Sequence, residues 1–181
     1  MAGNLLGEVH AVDHAIYRAV AGTPSPRLDA TLSGLSNAAN QSRVWLGIAA
    51  GLMVFGSPRH RRAAKLGVVA IGMTSVVVNL VAKPIFVRSR PDRRIRDAIS
   101  HVRMPRSTSF PSGHSASAFA FASAVGGELP WLAVPLQAMA TGVAYSRVHT
   151  GVHYPSDVVV GSLIGALGGS LVRHIARTFA G

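Results

Sequence analysis

LGVVAIGMTSVVVNLVAKPIFV, residues Leu66–Val87, decides the fold. Its twenty-two residues are apolar apart from Thr74, Ser75, Asn79 and Lys83, and one helical crossing of a bilayer takes about 20 such residues. Backbone donors and acceptors cannot be left open in lipid, so the stretch reads as a transmembrane helix. Towards the N-terminus lies a basic turn, Ser57–Lys65 (SPRHRRAAK), preceded by Val44–Gly56, a short apolar run that needs residues from Leu35 onward to span. Towards the C-terminus, a hydrophilic loop of seven arginines, Arg88–Arg106, leads to three more apolar runs. These are Ser115–Gly126, Trp131–Tyr145 and Val158–Val172, with a tight turn at Glu128–Pro130. The fold class is all-α: a polytopic membrane helical bundle with five to six transmembrane helices.

Residues 1–42 form the N-terminal segment of a single domain covering 1–181, and 43–181 form the bundle. Leu5, Leu6, Val9, Val12, Ile16 and Val20 recur at helical spacing, as in an amphipathic helix lying on a membrane surface or on the bundle. Glu8 and Asp13 interrupt what a secretion signal would keep apolar. His10 and His14 are spaced like a metal pair, yet one turn of a half-polar helix produces that spacing by composition, and they read as surface residues. Thr23–Ser42 is polar and turn-rich, a connection with a short helix.

Composition narrows the partners. Apolar residues make up 49% of the chain beside a net charge of +11, and the mean hydropathy is +0.34. Apolar spans alternating with basic loops reconcile the two, whereas nucleic-acid binding leaves the spans unexplained. Of 18 basic residues 16 are arginine, whose planar fork suits phosphate. With no cysteine, disulfides and thiolate metal sites are excluded. The Arg-, Ala-, Val- and Gly-heavy usage points to a bacterial genome rich in G and C.

Three strings carry chemistry: Lys83–Pro91 (KPIFVRSRP), Pro111–His114 (PSGH) and Ser146–Asp157 (SRVHTGVHYPSD). Lys83 and Arg90 are seven residues apart, so on one continuous helix they share a face about 10 Å apart, and Pro91 would end that helix. Lys83 near the end of an apolar span is either functional or snorkelling to the interface. In PSGH, Ser112 offers a hydroxyl, Gly113 admits a ligand to the backbone, and free amides at a helix N-terminus attract an anion. His114 could protonate a departing oxygen there. Arg147 can clamp phosphate oxygens. His153 and Asp157 are one turn apart, and a carboxylate on Nδ1–H would leave Nε2 free as a nucleophile. His149, without a third ligand at matching spacing, reads as structural or as a support to the site residues. Crossing the membrane once per span brings all three strings to one side.

The order K-x6-R-P, PSGH, S-R-x5-H-x3-D resembles the type 2 phosphatidic acid phosphatase family, membrane lipid phosphatases related to vanadium haloperoxidases. The resemblance covers Lys83 to Asp157 and fills every motif position. It implies that Lys83, Arg90, Ser112, Gly113 and Arg147 hold the substrate phosphate. It implies His153 as the nucleophile forming a phosphohistidine, Asp157 as its partner, and His114 as general acid. It implies no metal and no cofactor, and a family bundle usually of six helices, where five apolar runs are legible here.

The expected enzyme is an integral membrane, metal-independent phosphatase acting on a lipid phosphomonoester or diphosphate. Substrates in view are a polyprenyl (di)phosphate, a prenyl-linked sugar phosphate such as decaprenylphosphoryl-phosphoribose, phosphatidylglycerophosphate or phosphatidate. Its partners are that lipid and the bilayer, with no nucleic acid. The expected location is the bacterial plasma membrane with the site on the extracytoplasmic face. Rival readings are a lipid-linked phosphotransferase and a non-enzymatic protein binding anionic lipid through Arg88–Arg106; the latter leaves His114, His153 and Asp157 idle. A haloperoxidase would share the anion pocket but not five apolar spans. Arg90 is expected in the site, and Arg93, Arg94, Arg96, Arg103 and Arg106 in a lipid-attracting patch.

Overall fold

Helix α6, Gly113–Glu128 (GHSASAFAFASAVGGE), is apolar and small all round, the signature of a helix with no solvent face. The computed structural model, which describes residues 2–23, 25–93 and 102–179 (backbone alone for 2–6), surrounds it accordingly. Before it come α1 (Ala2–Gly22), α2 (Pro26–Ala38), a 3₁₀ turn at Asn40–Ser42, α3 (Arg43–Phe55) and α4 (Pro58–Val76). A π-helical stretch, Val77–Ala82, continues α4 into the single turn α5 (Lys83–Ile85). After it come α7 (Pro130–His149) and α8 (Pro155–Thr178). α6 packs against α4, α7 and α8, and Phe121 and Val125 lie in the main core with Trp45, Leu136 and Val143.

The α6–α8 contact is close because α8 has no side chains on that face. Gly161, Gly165 and Gly169 recur every fourth residue, and a Cβ on them would meet the backbone oxygens of Ser112, Ala116 and Ala120 at 2.4, 2.1 and 2.2 Å. Small residues at this spacing let two helix backbones touch. The opposite face of α8 is an exposed apolar stripe of Val159, Leu163, Leu167, Leu171 and Ile175. Val69, Met73, Val76 and Leu80 do the same on the outer side of α4 and its continuation. By length and composition, Pro58–Ile85 and Pro155–Thr178 are able to cross a membrane. Large apolar side chains turned outwards on both are what lipid contact requires.

Three expectations change. Ser57–Lys65 is not a turn but the opening of α4. Its arginines grip the far end of α6: Arg59 Nε donates to the Glu128 carbonyl at 2.9 Å and Arg62 pairs with the Glu128 carboxylate at 3.7 Å. Cations there complement the negative end of the helix dipole. Second, the short helix expected within Thr23–Ser42 is present as α2, but its 13 residues form an element packed along α7 and not just part of a connection. Third, Lys83 and Arg90 do not share a helix. Pro84 has no N–H for the ladder, the π-helical bond from Lys83 N to Val78 O has already shifted the register, and the helix stops at Ile85. Beyond it the chain is held by tertiary bonds instead, with Ser109 N donating to Arg88 O at 2.9 Å.

α1 is amphipathic as its spacing predicts, with the apolar side outward. Val9, Val12 and Ile16 are exposed, whereas Asp13 and Tyr17 are 3% and 1% accessible. Asp13, Tyr17 and Ala21, on one side of this helix, are the residues that meet the bundle.

Candidate active site

The loop between α7 and α8 is built around one carbonyl. Val152 N and His153 N both donate to Arg147 O, at 3.0 and 3.1 Å. Gly151 makes the reversal at φ +64°, where a side chain would be strained and would crowd the Tyr17 hydroxyl. His153 is thereby buried (2% accessible) at the head of α8, and Pro155 starts that helix.

Partners assign the proton on His153. Arg90 Nη1 lies 3.3 Å from Nε2, and a guanidinium can only donate, so Nε2 presents its lone pair. The proton then sits on Nδ1, which faces Asp157 Oδ2 at 3.5 Å. That is contact at ion-pair range, longer than a closed hydrogen bond. Burial, with Arg147 and Arg90 adding to it against the pull of Asp157, pushes the imidazole down to about 4. His153 is therefore neutral near pH 7, with its free lone pair directed towards Arg90.

Asp157 is wholly buried and heavily bonded. Oδ2 accepts from Ser109 Oγ, and from Tyr154 N at 2.9 Å. Oδ1 accepts from Arg88 Nη1 at 2.7 Å. Burial works to lower the Arg88 guanidinium, but its bonds to Asp13 and Asp157 outweigh this and hold it above the ordinary arginine value.

The cations converge although their helix does not continue. Lys83 Nζ and Arg90 Nη2 both donate to Ser107 Oγ at 3.3 Å. Lys83 also donates to Asn79 Oδ1 at 3.0 Å. Arg90 is fixed further by the carbonyls of Val152 (2.8 Å), Thr108 (3.0 Å) and Ser107 (3.0 Å). Burial lowers the Arg90 guanidinium, and Arg93 adds to that against the pull of Asp157. Arg147 is fully buried and donates to Ser36 Oγ of α2 at 2.5 Å. Among the described residues its Nε meets no acceptor. Cations desolvated in this way are costly unless an anion meets them.

Ser112 and Gly113 open α6 at the same end. Ser112 N donates to Asp157 O at 2.9 Å, tying this helix start to α8. The Ser112 hydroxyl caps the helix, accepting from Ser115 N at 3.4 Å and Ser115 Oγ at 3.0 Å, so it faces the helix and not open space. Gly113 lies beside Lys83, whose Nζ is 3.9 Å from where a Cβ would stand. His114 Nε2 contacts Asn40 Oδ1 at 3.0 Å. Lys83, Gly113 and His114 line a polar recess of about 200 Å³ with Gln41, Ser42, Ser75 and Asn79. Gln41 and Ser42 both adopt left-handed φ, +55° and +58°, a costly backbone for residues with side chains.

The structure thus gathers Lys83, Arg90, Ser112, Gly113, His114, Arg147, His153 and Asp157 at one end of the bundle. His149 lies apart from them, bonded to Asp29 at 2.7 Å, in keeping with a structural role. Of the arginine patch, Arg103 and Arg106 are exposed, and Arg94 and Arg96 lie outside the described residues. Arg93 departs from the expectation: it is half-buried and donates to Val102 O at 2.6 Å, so it braces the loop. Sequence reading passed over Asp13, Ser36, Asn40, Arg88, Ser107, Ser109 and Ser156, none of which has a signature at local spacing.

Fold and site together define a class: an all-helical, membrane-associated chain whose polar end gathers cations around a histidine. The family model described as the PAP2 superfamily matches residues 64–180, and the chain belongs to that superfamily. It is 37% identical over 174 residues to decaprenylphosphoryl-5-phosphoribose phosphatase of Mycobacterium tuberculosis, covering 93% of this chain and 90% of that protein. It is 29% identical over 143 residues to an undecaprenyl-diphosphatase of Sulfolobus acidocaldarius, covering 76% of this chain and 67% of that one. Among solved structures, Aquifex aeolicus LpxE aligns with a TM-score of 0.72 at 26% identity, over 87% of this chain and 92% of LpxE. A PAP2-type phosphatidylglycerolphosphate phosphatase of Bacillus subtilis aligns at 0.71 and 25% identity, over 94% and 87%.

Proposed function

We propose that this protein hydrolyses a phosphate ester of a membrane lipid through a phosphohistidine. The observation that carries the reading is the Arg90–His153–Asp157 arrangement, which leaves Nε2 of a neutral imidazole unprotonated among cations. Lys83, Arg90 and Arg147 hold the phosphate with the first amides of α6, and Ser112 keeps that helix start and Gly113 in place. His153 Nε2 attacks phosphorus, the bond to the leaving oxygen breaks, and His114 donates the proton that oxygen needs. Asp157 stabilises the imidazolium while phosphorus is attached. Water, losing a proton to His114, then displaces Nε2 and releases inorganic phosphate, which restores both histidines. The cations supply the charge stabilisation that a metal supplies elsewhere, so no metal or cofactor takes part.

The chain works as a single membrane-embedded domain. Besides the two long helices, α3, α6 and α7 lie within the bilayer, giving five spans with α1 at the interface. The site faces away from the cytoplasm in this reading. A plain positive-inside count favours the opposite, because the motif side carries more basic residues than the Arg59, Arg61, Arg62, Lys65, Arg173 and Arg177 of the far end. Lys83, Arg90 and Arg147, however, are committed to phosphate and do not report topology.

Among lipid phosphates, a prenyl-linked sugar phosphate fits best. Gln41, Ser42, Ser75 and Asn79 beside His114 give the recess amides and hydroxyls for a hydroxylated leaving group, and the Mycobacterium tuberculosis relative is named for such a substrate. The test is phosphate release by purified protein in detergent from four lipids: decaprenylphosphoryl-phosphoribose, undecaprenyl diphosphate, phosphatidylglycerophosphate and phosphatidate. The sugar-linked lipid should be turned over fastest. A faster diphosphate overturns the substrate assignment, no release from any overturns the phosphatase, and transfer to an added alcohol in place of release makes it a phosphotransferase.

A further inference from the structure

Behind Asp157, on the side away from His153, lies a second carboxylate that the reaction as described does not use. Arg88 stands between the two, with Nη1 2.7 Å from Asp157 Oδ1 and Nη2 2.7 Å from Asp13 Oδ2. Asp13 Oδ1 also accepts from Ser156 N at 2.9 Å, and Asp13 Oδ2 accepts from Ser156 Oγ at 2.5 Å. Arg88 Nη1 closes the ring by donating to Ser156 Oγ at 2.8 Å. The guanidinium is covered by the Tyr154 ring, 4.3 Å away. The side chains of Asp13, Arg88 and Asp157 are 4%, 13% and 0% accessible, so little water screens them.

We propose that Asp13 is a positioning residue for the reaction: by holding Arg88 against Asp157 it fixes the carboxylate beside His153 and keeps that cluster net negative. A lone arginine on Asp157 would cancel the charge that the imidazolium needs once His153 has attacked. A second carboxylate on the far side of the guanidinium restores it. Charge-assisted bonds at 2.7 Å also fix the Asp157 side chain from behind, while Ser109 and Tyr154 N hold its other oxygen. Because α1 supplies Asp13, the interfacial helix is part of the reacting end as well as a membrane anchor.

The inference rests on His153 being the nucleophile. A simple clamp of α1 onto α8 is the competing account, and the two differ in what they change. Loss of a clamp lowers the folded fraction; loss of a positioning residue slows turnover in protein that is folded and binds normally. Full-length protein in detergent, with decaprenylphosphoryl-phosphoribose as probe, is assayed as Asp13→Asn, Arg88→Met, the double variant, His153→Ala and a charge control, Glu8→Gln, from the exposed side of α1.

Asp13→Asn should lower kcat about tenfold or more with KM changed less than about threefold, and Glu8→Gln should behave as wild type. Adding Asp13→Asn to Arg88→Met should cost nothing further, because Asp13 acts through Arg88. Wild-type kcat in Asp13→Asn overturns the proposal. So does a loss that tracks the folded fraction, or an equal loss in the Arg88→Met background. If Asp13→Asn does not fold, Asp13→Glu keeps the charge but displaces it: lowered kcat at unchanged KM supports the proposal, and unchanged kcat overturns it. An active His153→Ala, by contrast, refutes the nucleophile itself, whatever Asp13 does.

Discussion

Burial sets the protonation of His153, and that makes its contribution to stability depend on pH. The folded imidazole is pushed down to about 4, against an ordinary value near 6.5. The unfolded chain therefore binds more protons between those values, so His153 favours the folded state above about pH 6.5 and that contribution is lost as pH falls through about 4. Melting temperatures in detergent, taken stepwise from pH 7 to 4, should fall more steeply for the wild type than for His153→Gln; equal slopes would remove the argument. The motif residues were legible because their spacing is local. Asp13 and Arg88 were not: they are 75 positions apart, and no local period records a bond that only the closed fold creates. The Asn40–His114 contact, 74 positions apart, is hidden for the same reason.

At the scale of elements, the apolar runs predicted the helices and missed their ends. α4 starts in a basic stretch because its arginines have the terminal carbonyls of α6 to bind, and α5 stops at Ile85 where tertiary bonds such as Ser109 N to Arg88 O take over the backbone. Neither reason can be read from hydropathy. The glycine spacing in α8 was passed over although Gly161, Gly165 and Gly169 stand at i, i+4 and i+8, because its meaning depends on the facing backbone of α6, on which it seats α8. Gly165→Ala places a methyl 2.1 Å from Ala116 O and should destabilise by about 1–3 kcal/mol, the usual cost of overpacking. Gly72→Ala on α4, where a Cβ meets nothing within 4 Å, should be neutral or stabilise by up to about 1 kcal/mol. Thermal unfolding of the two in one detergent checks this, and equal melting temperatures would show that the α6–α8 seam yields freely.

Across the whole molecule, charge is sorted by end. Arg88 meets Asp13 and Asp157 at the reacting end, where Lys83, Arg90 and Arg147 also gather, while Arg59, Arg62, Arg173 and Arg177 surround the far end of α6. The reacting end is thus suited to an anion and repels a divalent cation. Activity should survive exhaustive EDTA treatment, and vanadate, a phosphate mimic, should inhibit competitively; loss on chelation that one added divalent ion restores would overturn the metal-free mechanism. The same sorting was legible in the order of the three strings, which alternating crossings bring to one side. The Asp13–Arg88–Asp157 bridge ties the first helix, the central loop and the last helix together. A ribosome delivers those three pieces in sequence, so in a nascent chain that has not yet emitted α8 Arg88 can meet Asp13 but not Asp157. On the mechanism proposed above, a chain released before Asp157 is made lacks the carboxylate beside His153 and should be inert however well its first helices insert.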